Sequence, residues 1–523
     1  MKKIVLAAAL LLSLPLFTPA QKKVFKEVSD GMSSTTMPIM QGKSLVGYLA
    51  FTKLEKINAD SFHYKINIMD ENLNDIGTVL FSEKKLFLQS VAIEQDVLCL
   101  GYLQSNLIES DYSRREYRKK KDTEDENVLT QFVDLSGKII ATNRIKVEIE
   151  HTPPMIDAQH RGPVKLKREI ELHNISQKGF ALFYSDERNA SLVTYNTRGE
   201  QTWHTSFLPE IYSHMLVCGY AVYFLKWNTD NQTPYEGGYE LFGYNTLNNT
   251  KLPGMKLNDD QGNALKVLAF DVDPGTGRPY IAGNIINKRY SQFWFTGKGI
   301  IKGMYSGVFT IYIDGPSKSD IHEQYTYWNG MEHPLIPGIS RKGYFEDAET
   351  YARMSSAFRD YDGNTYFAAS GMVKSPRWGC IASSIITAPL ILPPLIILNT
   401  GTEKTKFTDG LLLKLDKEGK LSIVTTFPGY HTGYRPARMF YSEYSYIRKF
   451  NTVADADTKT TYLIDYDKKK ILIYNVAQNK VVRTIQRKDG DITTTVYPAK
   501  EGHIMVSEYN EKEKSTTVSI ESL

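Results

Sequence analysis

One turn recurs seven times along the 523 residues: an apolar run, an Asp or Asn, usually two or three further residues, a Gly or Asn, and a fresh apolar run. The copies start at Asp70, Asp134, Asn196, Asn245, Asp314, Asp416 and Asn475. Phe132-Val-Asp134-Leu-Ser-Gly137-Lys138 and Leu413-Lys-Leu-Asp416-Lys-Glu-Gly419-Lys420 show the pattern. An Asp or Asn side chain ties itself to the backbone two residues on, and Gly or Asn supplies a positive φ, so each copy predicts a hairpin. Punctuation that returns at a regular interval is the mark of a repeat architecture.

The runs flanking these turns are short and rich in Val, Ile, Tyr, Phe and Thr, with almost no helical period, which predicts strands. Aromatic residues make up 12% of the chain and 33 of them are Tyr, a good strand former, so the enrichment supports β structure first. A second mark, Gly179, Gly277, Gly363 or Gly502, precedes another apolar run in several units. Each unit therefore reads as strand, Gly turn, strand, variable loop, strand, Asp/Asn turn, strand. Four antiparallel strands per repeat is the blade of a β-propeller, so the expected class is all-β. Quartets are expected near 35–82, 86–150, 168–207, 211–257, 264–328, 352–428 and 446–488. A final unit, 491–523, has three strands only. A spare strand at 23–29 is expected to complete it and close the ring, which removes open edges. Eight blades follow from this count, with seven as the alternative. Eight blades give roughly 63 residues each, above the ~40–50 of compact propeller repeats, so the surplus belongs to loops.

Residues 1–20 stand apart. Lys2 and Lys3 precede an apolar stretch, and Thr18-Pro19-Ala20 ends it before Gln21, the pattern of a signal peptide. The expected protein is thus an exported single propeller, residues 21–523, periplasmic, outer-membrane-associated or secreted. Of the three cysteines, Cys99 and Cys218 fall in expected strands and read as free thiols rather than a bridge; the third is Cys380. A formal charge of +4 gives no footprint for nucleic acid.

In a propeller, the loop between the second and third strands leaves on the same face as the connections between blades. The long segments 104–129, 148–167, 285–306, 327–352, 372–408 and 428–446 all fall there, opposite the short turns. Long loops on a rigid scaffold are where binding concentrates. Two connectors mix aromatic and ionisable groups: Tyr327, Trp328, Glu332 and His333, followed by Tyr344-Phe-Glu-Asp347, and then Tyr430, His431, Tyr434 and Arg435 with Arg438. They read as a sugar- or peptide-binding platform at the channel mouth, with ordinary loop packing as the alternative. An apolar insertion spans about 378–400. Its core, 381–398, is uncharged and holds ten Ile or Leu. Burying each is worth about 1.5–3 kcal/mol, so something must cover it. Packing on the propeller, a membrane leaflet or a partner are the alternatives, and Trp294, Trp378, Leu390, Ile391, Leu392, Leu395 and Ile396 are the expected contacts. The basic run 114–121 with the acids after it reads as a solvated, self-neutralising loop. Asp271, Asp273, Asp360, Asp362, Asp455 and Asp457 form Asp-x-Asp pairs that read as turn caps rather than calcium ligands. His333 and His431 have no partner at metal-ligand spacing. No phosphate loop, nucleophile elbow, His-Glu-x-x-His or Cys-x-x-Cys occurs, so no metal or cofactor is expected.

The repeat turn together with the leader resembles bacterial exported β-propeller proteins of unknown function. Asn196-Thr-Arg-Gly199-Glu-Gln-Thr-Trp203 is similar to the Gly-to-Trp docking motif of quinoprotein blades, but one copy among seven implies no quinone. The reading is a non-catalytic scaffold that binds an envelope protein or glycan by its loop-rich face. A glycan- or peptide-acting hydrolase or lyase, and a peripheral membrane protein using 381–398, are the alternatives.

Overall fold

The computed structural model describes residues 22–26, 33–107, 114–121, 125–148, 151–152, 165–166, 170–186, 189–208, 211–228, 238–287, 303–328, 336–376, 403–429, 435–436 and 448–523, apart from positions 43, 59 and 316. Among them the chain is nearly all strand, and its strands group into antiparallel quartets of consecutive segments. The quartets span 33–84, 86–147, 171–207, 211–257, 265–327, 350–427 and 449–486. An eighth comprises 492–522 and the strand Lys22–Lys26, which pairs with Ser515–Ser522 from Lys22↔Ser519 to Lys26↔Ser515. The spare strand expected at 23–29 thus completes the last unit, over Lys22–Lys26. A β-propeller of four-stranded sheets is the fold.

Burial follows the position of a strand within its sheet. Middle strands are sandwiched between neighbouring sheets, so both of their faces are apolar and buried, as in Val97–Gln104 and Gly179–Ser185. Outermost strands meet a neighbour on one side only and alternate, as in Asp75–Lys84 and Gln201–Phe207. The apolar clusters lie between consecutive units. Leu49 and Leu100 join the first and second, Phe132 and Phe180 the second and third, and Phe183 and Phe224 the third and fourth. The series runs on to Ile464 and Val496, then returns with Val518 and Ile520 packed among Tyr48 and Met69 of the first unit.

The recurring turn has the expected mechanism with amendments. Gly137 N–H donates to Asp134 O at 3.0 Å, Asp134 N–H to Lys138 O at 3.0 Å, and Lys138 N–H to the Asp134 carboxylate at 2.9 Å. With Gly137 at φ +95°, this is a type I turn closed by a glycine bulge. Asn196 and Asp416 repeat it. At Asp70 the positive φ belongs to Leu73 rather than Asn74, and at Asn245 to Asn249 rather than Asn248. The Asp314 copy departs further: a 3-10 turn, Lys318–Asp320, replaces the tight hairpin, and Asp314 pairs with Arg278 instead of capping. The Asp-x-Asp segments are caps through Asp273, Asp360 and Asp455.

The basic run is not a loop. Arg114–Lys121 is an α-helix whose Tyr117 is buried against Leu107, ten positions earlier on the same connection. Cys99 and Cys218 are free thiols on strands, the first buried and the second half-buried.

Candidate functional site

Strand order divides the propeller into two faces. The Gly turns and the Asp/Asn turns emerge on one; the second-to-third-strand loops and the links between units emerge on the other. Two cavities stand out among the described residues, one toward each face.

The first lies toward the long-connection face, between the innermost strands of the fifth, sixth and seventh units. It measures about 400 Å³ and is lined by Lys266, Leu268, Arg353, Met354, Ser355, Ser356, Arg448, Lys449, Phe450 and Asn451. Four of these are cations and none is a carboxylate. Each cation lies near the start of its inner strand, Leu265–Val272, Thr350–Arg359 or Lys449–Asp455, or just before it.

Arg448 is held from behind. Its Nη1 donates to Asp465 Oδ2 at 2.7 Å and its Nη2 to the Pro428 carbonyl at 2.8 Å. Its backbone N–H donates to Ser370 Oγ at 2.9 Å, and Ser355 Oγ donates to its carbonyl at 3.2 Å. The guanidinium passes where a side chain at Gly410 would stand: a Cβ there would meet Nη1 at 2.6 Å. Asp465 is fully buried, and loss of solvation pushes its carboxyl up to about 6 although Arg448 opposes the shift. Lys266 Nζ lies 3.2 Å from the Tyr305 hydroxyl. Arg353 is largely buried, while Lys449 is exposed. Among the described residues the result is a concave, largely basic wall on rigid strands, with Asp465 and Asp467 both against Arg448, at 2.7 and 3.7 Å.

The second cavity, about 430 Å³, sits on the short-turn face between the fifth and sixth units and is lined by Asp273, Arg278, Asp314, His322, Arg359, Tyr361 and Lys417 among others. Its charges are largely paired with one another. Arg359 meets Asp273, both buried, and stacks over the Tyr312 ring at 4.3 Å. Arg278 and His322 meet Asp314 at 2.8 and 3.2 Å. This cleft is a junction between units.

Of the residues expected to form a platform, the side chains of Tyr327 and Trp328 are described, and both are buried. Trp328 is 3% exposed; its indole N–H donates to the Tyr305 carbonyl at 3.0 Å, and its ring packs edge-on against Phe345. That commits it to the core rather than to stacking on a ligand. Tyr327 is also buried, and its hydroxyl bonds to Asp259 at 2.9 Å and to Asp260. Burial and these carboxylates push its phenol far above the ordinary range. Trp328 joins the cluster between the fifth and sixth units, whereas Tyr327 joins the one between the fourth and fifth. Arg435 lies in a two-residue strand paired with Thr405. Tyr344 is half-buried with its ring on Tyr351, and Phe345 is core, whereas Glu346 and Asp347 are exposed. Trp294, Glu332, His333, Trp378, Leu390, Ile391, Leu392, Leu395, Ile396, Tyr430, His431 and Tyr434 lie outside the described residues, as does the whole of 381–398. Among the described residues no three His, Cys, Asp or Glu side chains cluster as metal ligands, and no helix is long and apolar enough to cross a membrane.

Sequence reasoning missed Lys266, Arg353, Arg448 and Lys449. They run from position 266 to position 449, and only the juxtaposition of three inner strands unites them. A basic residue at or near the start of three successive first strands was the available signal.

The chain belongs to a family described as "Family of unknown function (DUF6770)", whose pattern matches residues 1–523. No curated protein matches it. Among solved structures it is similar to the Dos1 propeller, at 8% identity and TM-score 0.44, covering 95% of this chain and 94% of that one. It is similar to apo AztD from Citrobacter koseri at 10% identity and TM-score 0.38, covering 88% and 92%. It is similar to the dihydro-heme d1 dehydrogenase NirN in complex with DHE at 11% identity and TM-score 0.40, covering 98% and 83%.

Proposed function

We propose that this member of the family is an exported, non-catalytic, eight-bladed propeller that binds a protein or glycan partner at the cell envelope through its long-connection face. The observation that carries the reading is the asymmetry of the scaffold. One face is closed by tight, internally capped turns such as Asp134–Lys138 and Asp416–Lys420, whereas the other receives every long connection. Variable segments displayed by a rigid ring form a binding surface. The eight antiparallel quartets support the blade number, and the Lys-Lys leader with its apolar stretch supports export.

The test is a pull-down from envelope extract with the mature chain and with a variant lacking 381–398, run beside a glycan array. Retention of one saturable partner or glycan class by the mature chain is the expected result. Absence of any retained ligand in both assays overturns the reading.

A further inference from the structure

We propose that Met40 and Met505 are oxidation sites, and that converting their thioethers to sulfoxides loosens the junction where the last unit meets the first. The apolar cluster at that junction joins Leu45, Tyr48, Met69 and Leu73 of the first unit to Val518 and Ile520 of the last, with Met40 and Met505 packed against it. Among the described residues it is the inter-unit cluster richest in methionine; the one between the fifth and sixth units, with Met304 and Met354, comes next. Methionine is a flexible filler of irregular gaps, and its sulfur is the most readily oxidised atom in such a cluster.

Met505 lies directly opposite Ile520, and Met69 opposite Tyr48. Met69 is fully buried, whereas Met40 and Met505 are half-buried, so a small oxidant reaches the latter two first. Both stand near the short-turn end of their strands, Ser33–Gln41 and His503–Asn510. In the reaction the thioether sulfur attacks one oxygen of hydrogen peroxide and the O–O bond breaks. Sulfur gives up two electrons and keeps that oxygen, whose proton passes to the departing hydroxide, so the peroxide is reduced to water.

The new sulfoxide oxygen is a strong acceptor. Apart from the Tyr48 hydroxyl, no side chain of the cluster is a donor. The oxygen is therefore buried unpaired or brought to water by parting the two sheets. The polar contacts across the same boundary, Lys23 with Asp75 and Lys500 with Asn72, are weak substitutes for apolar packing. This inference concerns a junction toward the short-turn face and does not rest on partner capture by the opposite face.

The experiment treats the mature chain with graded hydrogen peroxide, maps added oxygen by peptide mass, and follows hydrogen–deuterium exchange of the same samples. Met40 and Met505 are expected to gain oxygen before Met69. Exchange in Ser515–Ser522 is then expected to accelerate by about tenfold, the consequence of one polar atom buried without a partner, while Gly179–Ser185 keeps its rate. The double variant Met40→Leu, Met505→Leu conserves volume and is expected to show no acceleration after the same treatment. Three results overturn the proposal: Met40 and Met505 unmodified while the half-buried Met37 and Met255 are oxidised, both oxidised with exchange unchanged, or equal acceleration in the double variant. The first two are read on the unaltered chain, so poor folding of the double variant leaves the test intact.

Discussion

The Lys23 ammonium meets the Asp75 carboxylate at 2.5 Å, so a strand that completes the last unit touches the outer strand of the first. The two residues are 52 positions apart, but they sit on either side of the point where the ring closes. Lys500, whose ammonium bonds to Asn72 across the same boundary, repeats the link.

Deleting residues 22–26 removes five strand pairings and is expected to cost about 3–5 kcal/mol, at about 0.5–1.5 kcal/mol net per hydrogen bond. Asp75→Asn removes only a largely exposed ion pair and is expected to cost less than about 1 kcal/mol. Calorimetric unfolding of both variants checks this. Equal effects would mean that strand pairing does not close the ring.

Gly199 stands at φ +80°, and a Cβ there would meet Ala141 Cβ at 2.5 Å and Phe132 Cδ2 at 2.9 Å in the preceding unit. Gly219, at φ +56°, has nothing within 4 Å. Gly219→Ala is expected to cost about 1 kcal/mol through backbone strain alone. Gly199→Ala carries an added overpacking cost of about 1–3 kcal/mol. Denaturant titration of the pair separates the two contributions.

Asp465 gives a pH dependence of known sign. Its folded carboxyl is raised to about 6 against an ordinary 3.8, with Arg448, Asp467 and Lys470 as the charged neighbours. Between those values the folded state binds more protons than the unfolded one. The contribution of this group to stability therefore falls as pH rises from about 4 to 6 and is absent above that window. Arg448→Met leaves the buried carboxylate without its cation and is expected to cost about 3–5 kcal/mol at pH 7. Asp465→Asn is expected to flatten the pH profile of the thermal midpoint; an unchanged profile refutes the assignment.

Trp328 belongs to the core between the fifth and sixth units, so Trp328→Ala is expected to destabilise by about 3–5 kcal/mol. Trp328→Phe keeps the ring and loses the bond to the Tyr305 carbonyl, for about 1–3 kcal/mol. Denaturant titration of both variants checks this; an unchanged midpoint in Trp328→Ala would take the ring out of the core.

Cys99 is fully buried, and desolvation holds its thiol well above the ordinary range. Alkylation at pH 8 followed by peptide mass analysis should find Cys99 unmodified in the native protein and modified in denaturant. Rapid native labelling would place that strand elsewhere.

Much of the architecture was readable because its signals are local. An Asp or Asn that caps two residues on, a Gly that supplies positive φ and a strand of alternating or continuous apolarity act within one hairpin. Asp134 and Gly137 could be paired by inspection. Local signals failed where a distant contact decided the outcome. Leu73 takes a left-handed turn position while its side chain is buried with Val518 and Ile520, and Trp328 turns into the core against Phe345.

By itself the sequence determined the repeat, the number of strands in each unit, the closure by a strand expected at 23–29 and the division into a plain face and a face of long connections. All of these depend on residues a few positions apart or on strand order. Only the tertiary structure decided which side chains share a space. Lys266, Arg353 and Arg448 are remote in the chain, and the ring brings them together because each inner strand starts on the same face and points along the same axis.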